Sequence, residues 1–206
     1  MKSFPLIVDI ENMQFLIVGG GRTAARKLGT LRMFDAEVTV IAQETDIREE
    51  NGVRVIQKAF EESDLAGMDF VIAATGSKET DIKIAALCKA EGIPVNATGD
   101  AEAGDFHLPA TVKDGPLVVA VSTSGTSPAY ARRLRQDIEN MLPPQIGEIL
   151  ERLGSYRGEM QRRIGTQPAR QAAYEEILGW MLLDGENLDD EVIEQIITHY
   201  EIEANE

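Results

Sequence analysis

The residues with the clearest chemical meaning form a glycine turn at positions 19–24. The segment Gly19-Gly20-Gly21-Arg22-Thr23-Ala24 fits the pattern G-x-G-x-x-G/A, which binds the pyrophosphate of a dinucleotide. In this pattern the first glycine allows a tight turn, and Gly21 lets the backbone approach the anion. The helix that begins here directs free N–H groups and the positive end of its dipole at the pyrophosphate. The spacing therefore predicts a dinucleotide site, and the alternative is a glycine-rich turn without a ligand.

Hydrophobic patterning places this turn between a buried strand and an amphipathic helix. Residues 14–18 form an apolar strand, and Ala24, Leu28 and Leu31 recur after it at helical spacing. A β-branched strand at 37–41 follows, which completes a βαβ unit of about 30 residues. This arrangement is typical of a Rossmann-type dinucleotide-binding domain.

The end of the second strand carries the residues expected near the ribose of the cofactor. Many NAD-binding Rossmann domains place an acidic residue there to bind the ribose hydroxyls. Here the strand is followed by Gln43 and Glu44, so Gln43 offers a neutral partner and Glu44 lies slightly past the strand end. A solvated loop acid is the open alternative for Glu44. Arg48 lies further on, and no nearer arginine follows to hold a 2′-phosphate, which favours NAD over NADP.

Further strands at 53–56, 69–74 and 93–96 alternate with helical segments, which predicts a parallel, doubly wound sheet. The strand at 69–74 runs into the small residues Thr75 and Gly76. Such an ending leaves room for a cofactor at the carboxyl edge of the sheet, so Thr75 is a candidate cofactor contact.

Two helix starts are also visible. Ser77 is placed to cap the helix in which we expect Ile82, Ala85 and Ala86 to face inward. Beyond an apolar strand at 117–121, Ser127 and Pro128 are placed as the N-cap and first residue of another helix. In that helix we expect Leu134, Ile138 and Met141 to face inward, and from Ile146 onward the pattern is helical only.

The length, net charge and cysteine count of the chain exclude several classes of function. With 206 residues and a formal net charge of −15, the chain is long enough for a substantial core and unsuited to nonspecific nucleic-acid binding. Cys88 is its only cysteine, which excludes an intramolecular disulfide and a zinc cluster, and we predict no metal site. No apolar run reaches the roughly 18 residues of a membrane span, and the N-terminus does not read as a secretory signal. We therefore expect a soluble, cytoplasmic protein.

Several motifs, taken together, resemble those of one family. They stand in family order between Phe4 and Arg135: Phe4-Pro5-Leu6, Leu16-Ile17-Val18-Gly19-Gly20-Gly21, Ala24 with Arg26-Lys27, Val38-Thr39-Val40-Ile41-Ala42, Ala73-Ala74-Thr75, Asn96 with Phe106 and Pro109-Ala110, Val119 to Pro128, and Ala131 with Leu134-Arg135. The chain resembles the siroheme synthase N-terminal module, which acts as precorrin-2 dehydrogenase and in some members also as sirohydrochlorin ferrochelatase. A generic Rossmann regulatory domain is the weaker alternative, because it does not explain the Ser-Gly-Thr-Ser-Pro stretch or the helical tail.

The resemblance implies an α/β fold with three parts. These are an NAD-binding Rossmann domain at 1–112, a small dimerisation region at 113–142, and a C-terminal helical domain at 143–206. It implies a homodimer whose active sites are shared between subunits. It also implies that the enzyme uses NAD to oxidise precorrin-2 to sirohydrochlorin, with NAD bound at the glycine turn, at Arg22 and Thr23, and at Gln43 and Glu44.

The tetrapyrrole that the resemblance implies as substrate carries many carboxylates. Arg132, Arg133 and Arg135 lie where the family's substrate-side helix begins, and a guanidinium binds a carboxylate through two parallel hydrogen bonds. Surface ion pairs with Asp137 and Glu139 are the alternative for these arginines. The segment Thr123-Ser124-Gly125-Thr126-Ser127 at the helix start is a second candidate anchor for a carboxylate.

One position departs from the family pattern. The family usually has an aspartate, held to act in dehydrogenation and chelation, three residues after the asparagine that matches Asn96. Here that residue is Gly99, followed by Asp100. Either Asp100 takes over the role, with Asp105 as a further candidate, or the role is lost.

The histidine near this position and the missing aspartate lead to further alternatives. His107 is a second candidate catalytic group, since an imidazole can accept a pyrrole proton, although a packed structural histidine is the alternative. Loss of the aspartate favours a non-catalytic module that binds NAD and a tetrapyrrole. Insertion of ferrous iron is a second step that the resemblance allows, although the residue most closely tied to it is absent here.

Overall fold

The computed structural model describes residues 3–184 and 188–204, which fall into two compact units. The N-terminal unit runs to Pro109 and includes Ser124–Thr126, and the C-terminal unit comprises Ala110–Thr123 and the chain from Ser127 onward. Within the described residues, no helix is both long enough and apolar enough to cross a bilayer.

The N-terminal unit is built on a five-stranded parallel sheet with the strand order β3-β2-β1-β4-β5. The strands are β1 (Gln14–Val18), β2 (Glu37–Ala42), β3 (Val53–Gln57), β4 (Phe70–Ala73) and β5 (Val95–Ala97). Helix α1 (Arg22–Arg32) connects β1 to β2, and α2 (Lys78–Ala90) connects β4 to β5. This confirms the predicted Rossmann-type α/β fold.

The register brings the functional turns to one edge of this sheet. Val18, the last residue of β1, pairs with Ile41 of β2 and with Ala73 of β4. Because the strands are parallel, the turns that follow β1, β2 and β4 leave the sheet at the same edge.

Both faces of the sheet are buried, as the continuous apolar runs predict. One face of β1 packs Phe15 and Ile17 with the residues Ala24, Leu28 and Leu31 of α1. The other face packs Leu16 and Val18 with Ile84, Ala85 and Cys88 of α2.

The expected inward face of α2 is partly wrong. Ala85 is buried, but Ile82 is 38% exposed and Ala86 is also exposed. The buried stripe runs instead through Asp81, Ile84, Ala85 and Cys88. It begins with a charged residue, so apolar periodicity alone could not locate it.

The C-terminal unit combines a two-stranded antiparallel hairpin with helices. The elements are β6 (Ala110–Asp114), β7 (Leu117–Val121), α3 (Pro128–Met141), α4 (Ile146–Ser155), α5 (Arg157–Arg163), α6 (Gln167–Asp184) and α7 (Asp190–Glu203). Ser127 caps α3 as expected, because its hydroxyl accepts a hydrogen bond from the Tyr130 N–H at 3.3 Å. Met141 was expected to face inward but is 80% exposed, and Ala131 is the buried residue of this helix.

The four C-terminal helices share a core of their own. Its fully buried members come from α5, α6 and α7 and from the loop after α5: Met160, Ile164, Ala173, Ile177, Met181, Ile193 and Ile197. Arg163 links two of these helices, because its guanidinium contacts Glu159 on its own helix and Glu194 and Glu201 on α7.

Candidate functional site

The glycine turn after β1 is wedged between the ends of β2 and β4. The Gly19 N–H donates to Ile41 O, and the Ala74 N–H donates to Val18 O, each at 2.8 Å. Gly19 has φ +127°, and a Cβ at this residue would lie 2.1 Å from Ala74 O. Only glycine fits this position, both for its backbone angle and for the space.

Gly20, the unspecified position of the fingerprint, is also packed tightly. A Cβ there would lie 2.4 Å from Glu44 O and 2.5 Å from Thr45 Cβ. The Thr45 hydroxyl donates to Gly20 O at 3.0 Å and accepts the Ile47 N–H at 3.0 Å. Thr45 therefore fixes the glycine turn to the loop after β2. Sequence reasoning did not identify it, although a hydroxyl residue just past a strand end was a visible signal.

Gly21 differs from both neighbours because it faces open space. No atom lies within 4 Å of the position that its Cβ would occupy. Gly21 is the N-cap of α1 and no side chain caps this helix, so the N–H groups of the first turn are left for a ligand. Arg22 and Thr23 are exposed in this turn. The arrangement fits the pyrophosphate of a dinucleotide, which needs close approach to the backbone and a helix N-terminus.

The residues predicted to bind the ribose follow β2 directly. Gln43 and Glu44 form an exposed bend immediately after Ala42. The Glu44 backbone contributes to the close packing around Gly20, while its side chain is free to meet a ligand at the surface. Arg48 is also exposed, beyond the bend.

Thr75, the candidate cofactor contact after β4, belongs to a polar network centred on Asp81. The side chain of Asp81 is buried, at 1% exposure. Its Oδ1 accepts the Thr75 N–H at 3.0 Å and the Thr75 hydroxyl at 2.7 Å. Its Oδ2 accepts the Thr98 hydroxyl at 3.2 Å and the Gly99 N–H at 3.1 Å. Asp81 thus ties the end of β4 to the end of β5, a role that sequence reasoning missed because the carboxylate comes from α2.

Gly99, the departure from the family pattern, lies in this crowded place. A Cβ at Gly99 would lie 3.1 Å from Asp81 Oδ2 and 3.0 Å from the Cα of Lys78. A side chain at this position would require Lys78 and Asp81 to shift by a few tenths of an ångström.

Asp100, the first catalytic candidate, is engaged at the surface. Its Oδ2 lies 3.0 Å from Lys78 Nζ, and its Oδ1 accepts the Glu102 N–H at 3.0 Å. The hydrogen bond from Lys78 holds the pKa of this carboxyl below its ordinary value, with the Glu102 N–H adding to the effect. A lowered pKa makes Asp100 a weaker base at neutral pH.

Two further candidates near residue 100 differ in role. Asp105 exchanges hydrogen bonds with Val95, since its Oδ2 accepts the Val95 N–H at 3.1 Å and its own N–H donates to Val95 O at 2.8 Å. This identifies Asp105 as an anchor of the loop after β5. His107 is exposed beside Phe106, whose carbonyl accepts a 2.7 Å hydrogen bond from Asn96 Nδ2.

The predicted substrate segment 123–127 is a turn between β7 and α3. The Thr123 hydroxyl accepts the Ser127 N–H at 3.0 Å, so the two ends of the segment are joined. Ser124 and Gly125 have positive φ angles of +51° and +83°, and Ser124, Gly125 and Thr126 are exposed. The side chains of Thr123 and Ser127 are thus used within the turn, while the middle of the turn faces solvent.

Two of the three arginines of α3 form surface ion pairs. Arg133 pairs with Asp137 at 2.9 Å, and Arg135 pairs with Glu139 at 3.0 Å. Arg132 is exposed and forms no ion pair with the described residues. Surface pairing therefore accounts for two of the three guanidinium groups within the chain.

No cluster of three or more metal-binding side chains occurs among residues 3–184 and 188–204. The only cysteine, Cys88, is fully buried, and burial raises the pKa of its thiol to about 11. Its sulfur is therefore a weak nucleophile and a poor ligand at neutral pH.

Comparison with known proteins agrees with this geometry. Residues 6–110 match a family described as putative NAD(P)-binding, and residues 114–141 match the sirohaem biosynthesis protein central family. The first match bears out the dinucleotide cofactor predicted from the glycine turn.

Relatives and a solved structure extend the match beyond the two families. Siroheme synthases of Methylococcus capsulatus and Nitrosococcus oceani are each 34% identical over 86% of this chain and 39% of their own length. The chain therefore spans about two fifths of these relatives. A solved structure, SirC, precorrin-2 dehydrogenase, has the same fold, with a TM-score of 0.68 at 23% identity over 94% of this chain and 98% of that one. With its first half matched by the NAD(P)-binding family and the sirohaem central segment next in order, the chain belongs to the family of siroheme synthase N-terminal modules.

Proposed function

We propose that this chain catalyses the NAD-dependent dehydrogenation of precorrin-2 to sirohydrochlorin in siroheme biosynthesis. The observation that carries the proposal is the open backbone at Gly21, at the uncapped N-terminus of α1 and at the carboxyl edge of a parallel sheet. Such a place suits a dinucleotide, and the family to which the chain belongs builds siroheme.

The cofactor would be held by residues on the N-terminal unit. The Gly19–Gly21 turn and the first turn of α1 hold the pyrophosphate, and Gln43 and Glu44 hold ribose hydroxyls. An acidic residue near the 2′-hydroxyl repels a 2′-phosphate, which favours NAD over NADP. When bound, NAD supplies the acceptor for the hydride that the macrocycle loses.

The substrate would be bound through its carboxylates. Arg132 is the first choice among the α3 arginines because no carboxylate of the described chain pairs with it, and Arg135 becomes available if Glu139 moves away. The exposed turn at Ser124–Thr126 offers further hydrogen-bond donors.

Oxidation also requires that a proton leave the macrocycle. Asp100 and His107 are the two candidates for the accepting group, and the lowered pKa of Asp100 favours His107. Asp100→Ala and His107→Ala test this assignment. We expect the His107 variant to lose the larger share of turnover, and full activity in both variants would eliminate both residues.

The direct test is to mix purified protein with precorrin-2 and NAD and to follow NADH and the sirohydrochlorin spectrum. We expect both signals to rise together, and NADP to be a poorer substitute. Absence of both signals with correctly folded protein would refute the proposed reaction.

A second candidate function is a non-catalytic module that binds NAD and a tetrapyrrole. Gly99 favours it, because the position lacks a carboxylate and the packing against Lys78 and Asp81 leaves little room for one. Calorimetry separates the two functions, since binding of both ligands without turnover supports the module. Repeating the spectral assay with ferrous iron as a substrate tests whether the chain also inserts the metal.

A further inference from the structure

Asp81 is a buried carboxylate that the proposed reaction does not yet use. It lies in the first turn of α2, yet all four hydrogen bonds that its carboxylate accepts come from residues that follow β4 and β5. We propose that Asp81 fixes the hydroxyls of Thr75 and Thr98 as hydrogen-bond acceptors, so that this edge of the sheet selects a ligand group that donates hydrogen bonds. The inference rests on the proposed function in taking a dinucleotide as the ligand.

Two backbone N–H groups orient the carboxylate of Asp81. An ionised carboxylate only accepts hydrogen bonds. Each oxygen of Asp81 receives one backbone N–H, from Thr75 on Oδ1 and from Gly99 on Oδ2. These two donors cannot reverse, so they fix the orientation of the carboxylate and leave each oxygen to accept one hydroxyl as well.

The hydroxyl groups of Thr75 and Thr98 both donate to Asp81. Thr75 Oγ1 lies 2.7 Å from Asp81 Oδ1 and 3.3 Å from Ser77 O. One hydroxyl has one proton, and the shorter contact to a charged acceptor is the stronger hydrogen bond. Thr98 Oγ1 likewise donates to Asp81 Oδ2 at 3.2 Å. Both hydroxyl protons therefore point at Asp81, and both oxygens turn their lone pairs outward.

The hydroxyl oxygens of Thr75 and Thr98 can accept a hydrogen bond from a ligand. Thr75 Oγ1 uses one lone pair to accept the Ser77 N–H at 3.2 Å, which leaves one for a ligand. Thr75 and Thr98 are both partly exposed, so their oxygens are within reach of solvent. A ligand group that itself presents lone pairs, such as a phosphate or carbonyl oxygen, is repelled here, while an N–H or O–H group is bound.

The place of Thr75 and Thr98 in the strand order indicates which half of the dinucleotide they would contact. Gln43 and Glu44 follow β2 on one side of the glycine turn, while Thr75 and Thr98 follow β4 and β5 on the other side. With the pyrophosphate at the turn and one ribose at Gln43 and Glu44, the nicotinamide half extends over β4 and β5. Its ribose hydroxyls and its carboxamide NH₂ are the donors that fit the two threonine oxygens.

The test compares NADH with ADP, because ADP lacks the nicotinamide half. Asp81→Asn replaces one acceptor oxygen by an NH₂ group, which removes the acceptor of one backbone N–H and forces the threonine hydroxyl on the same side to accept and to turn its proton outward. We expect NADH to bind about five- to tenfold more weakly in calorimetry, the effect of one lost hydrogen bond. ADP affinity should change less than twofold. Asp69→Asn is the matched control, since Asp69 accepts the Gln14 N–H at the opposite edge of the same sheet.

A double-mutant cycle separates this role from a merely structural one. The variant Thr75→Val/Thr98→Val lacks both hydroxyls and should also lose NADH affinity but not ADP affinity. Adding Asp81→Asn to it should change NADH affinity less than twofold, because Asp81 then has no hydroxyl to orient. Thr75→Ser keeps the hydroxyl and should bind NADH as the unsubstituted protein does.

Each outcome bears on the inference. Equal loss of NADH and ADP affinity in Asp81→Asn, or no loss for NADH, would overturn it. If Asp81→Asn does not fold, the two-valine variant decides, and unchanged NADH affinity there would overturn the inference. Unsubstituted protein that binds NADH but does not oxidise precorrin-2 would refute the proposed reaction and leave this inference standing.

Discussion

Gly19 and Gly21 lie two residues apart, yet a methyl group added at each would meet different surroundings. At Gly19 it would lie 2.1 Å from a backbone oxygen of the sheet, whereas at Gly21 it would meet no protein atom within 4 Å. The first glycine is therefore required by the fold, whereas the second leaves its backbone open.

We expect Gly21→Ala to fold and to bind NADH at least about tenfold more weakly, because the new methyl group would occupy the place proposed for the pyrophosphate. Gly19→Ala should lose at least about 3 kcal/mol of unfolding free energy through its clash and its unfavourable φ. Circular dichroism on denaturant titration and calorimetry with NADH measure the two effects. NADH binding by Gly21→Ala at full affinity would contradict the proposed site.

Lys27 carries the main buried positive charge of α1. It is 7% exposed, and burial, with a smaller contribution from the charge of Arg26, lowers the pKa of its ammonium from 10.5 to about 8. Below pH 8 the folded protein holds a charge that the unfolded chain solvates better. Between pH 8 and 10.5 the unfolded chain binds more protons, so stability attributable to this residue rises with pH.

We expect Lys27→Met to raise the free energy of unfolding at pH 7 by about 1–3 kcal/mol, since it keeps the length of the side chain and removes the buried charge. The advantage of the variant should shrink as the pH rises from 8 to 10. Urea denaturation of both proteins at several pH values measures this difference in the free energy of unfolding. A constant difference between the two proteins across this range would show that the amine is not desolvated.

At the scale of elements, the C-terminal helices depend on one arginine. Arg163 of α5 contacts Glu194 and Glu201 of α7 as well as Glu159, at 2.8 Å in each pair. These hydrogen bonds raise the pKa of the guanidinium above its ordinary value, so the arginine is charged at every accessible pH. Loss of Arg163 would leave three carboxylates facing one another.

We expect Arg163→Met to lower the stability of the helical unit by about 1–2 kcal/mol, because networks of charged hydrogen bonds contribute more than isolated surface pairs. The single tryptophan, Trp180, lies on α6, so its fluorescence reports the unfolding of this unit. Lys83→Met is the control, since it breaks an exposed pair with Glu79 that contributes little to stability. Equal effects of the two substitutions would refute the network.

At the scale of the whole molecule, the resemblance predicts a homodimer through the region 113–142. Within this region, α3 exposes two large apolar side chains, Tyr130 at 60% and Met141 at 80%. Single exposed apolar residues are common on protein surfaces, so the assignment of this region to dimerisation comes from the resemblance. Tyr130 and Met141 suit the predicted role of this region in dimerisation.

We expect light scattering to give about twice the chain mass of 22.6 kDa, and Met141→Asp to give the mass of one chain. A charge placed in a buried apolar interface costs more than the dimer gains there. Leu183→Asp is the matched control, because Leu183 is 78% exposed on α6, outside the predicted region. A monomer for the unsubstituted protein, or a dimer for Met141→Asp, would contradict this assignment.

Much of the N-terminal unit could be predicted from the sequence. Its strand bounds differ from the predicted ones by at most about two residues, and its glycine turn and Ser77 cap are confirmed. In the C-terminal unit, the Ser127-Pro128 start of α3 is confirmed. The prediction of which helix residues face inward was less accurate. Met141 and Ile82 are apolar but exposed, because apolar spacing shows which residues can be buried and not what covers them. The three-part division at residues 112 and 142 stays a prediction.

The sequence by itself determined the features that depend on neighbouring residues: the βαβ unit, the glycine turn, the helix caps and the motifs that identify the family. Only the tertiary structure decided which polar groups meet. Asp81 lies six residues after Thr75 and seventeen before Thr98, and its four donors come from two different strand ends. Local propensity cannot specify such a contact, because the strand order and the register bring these residues together only after the sheet has formed.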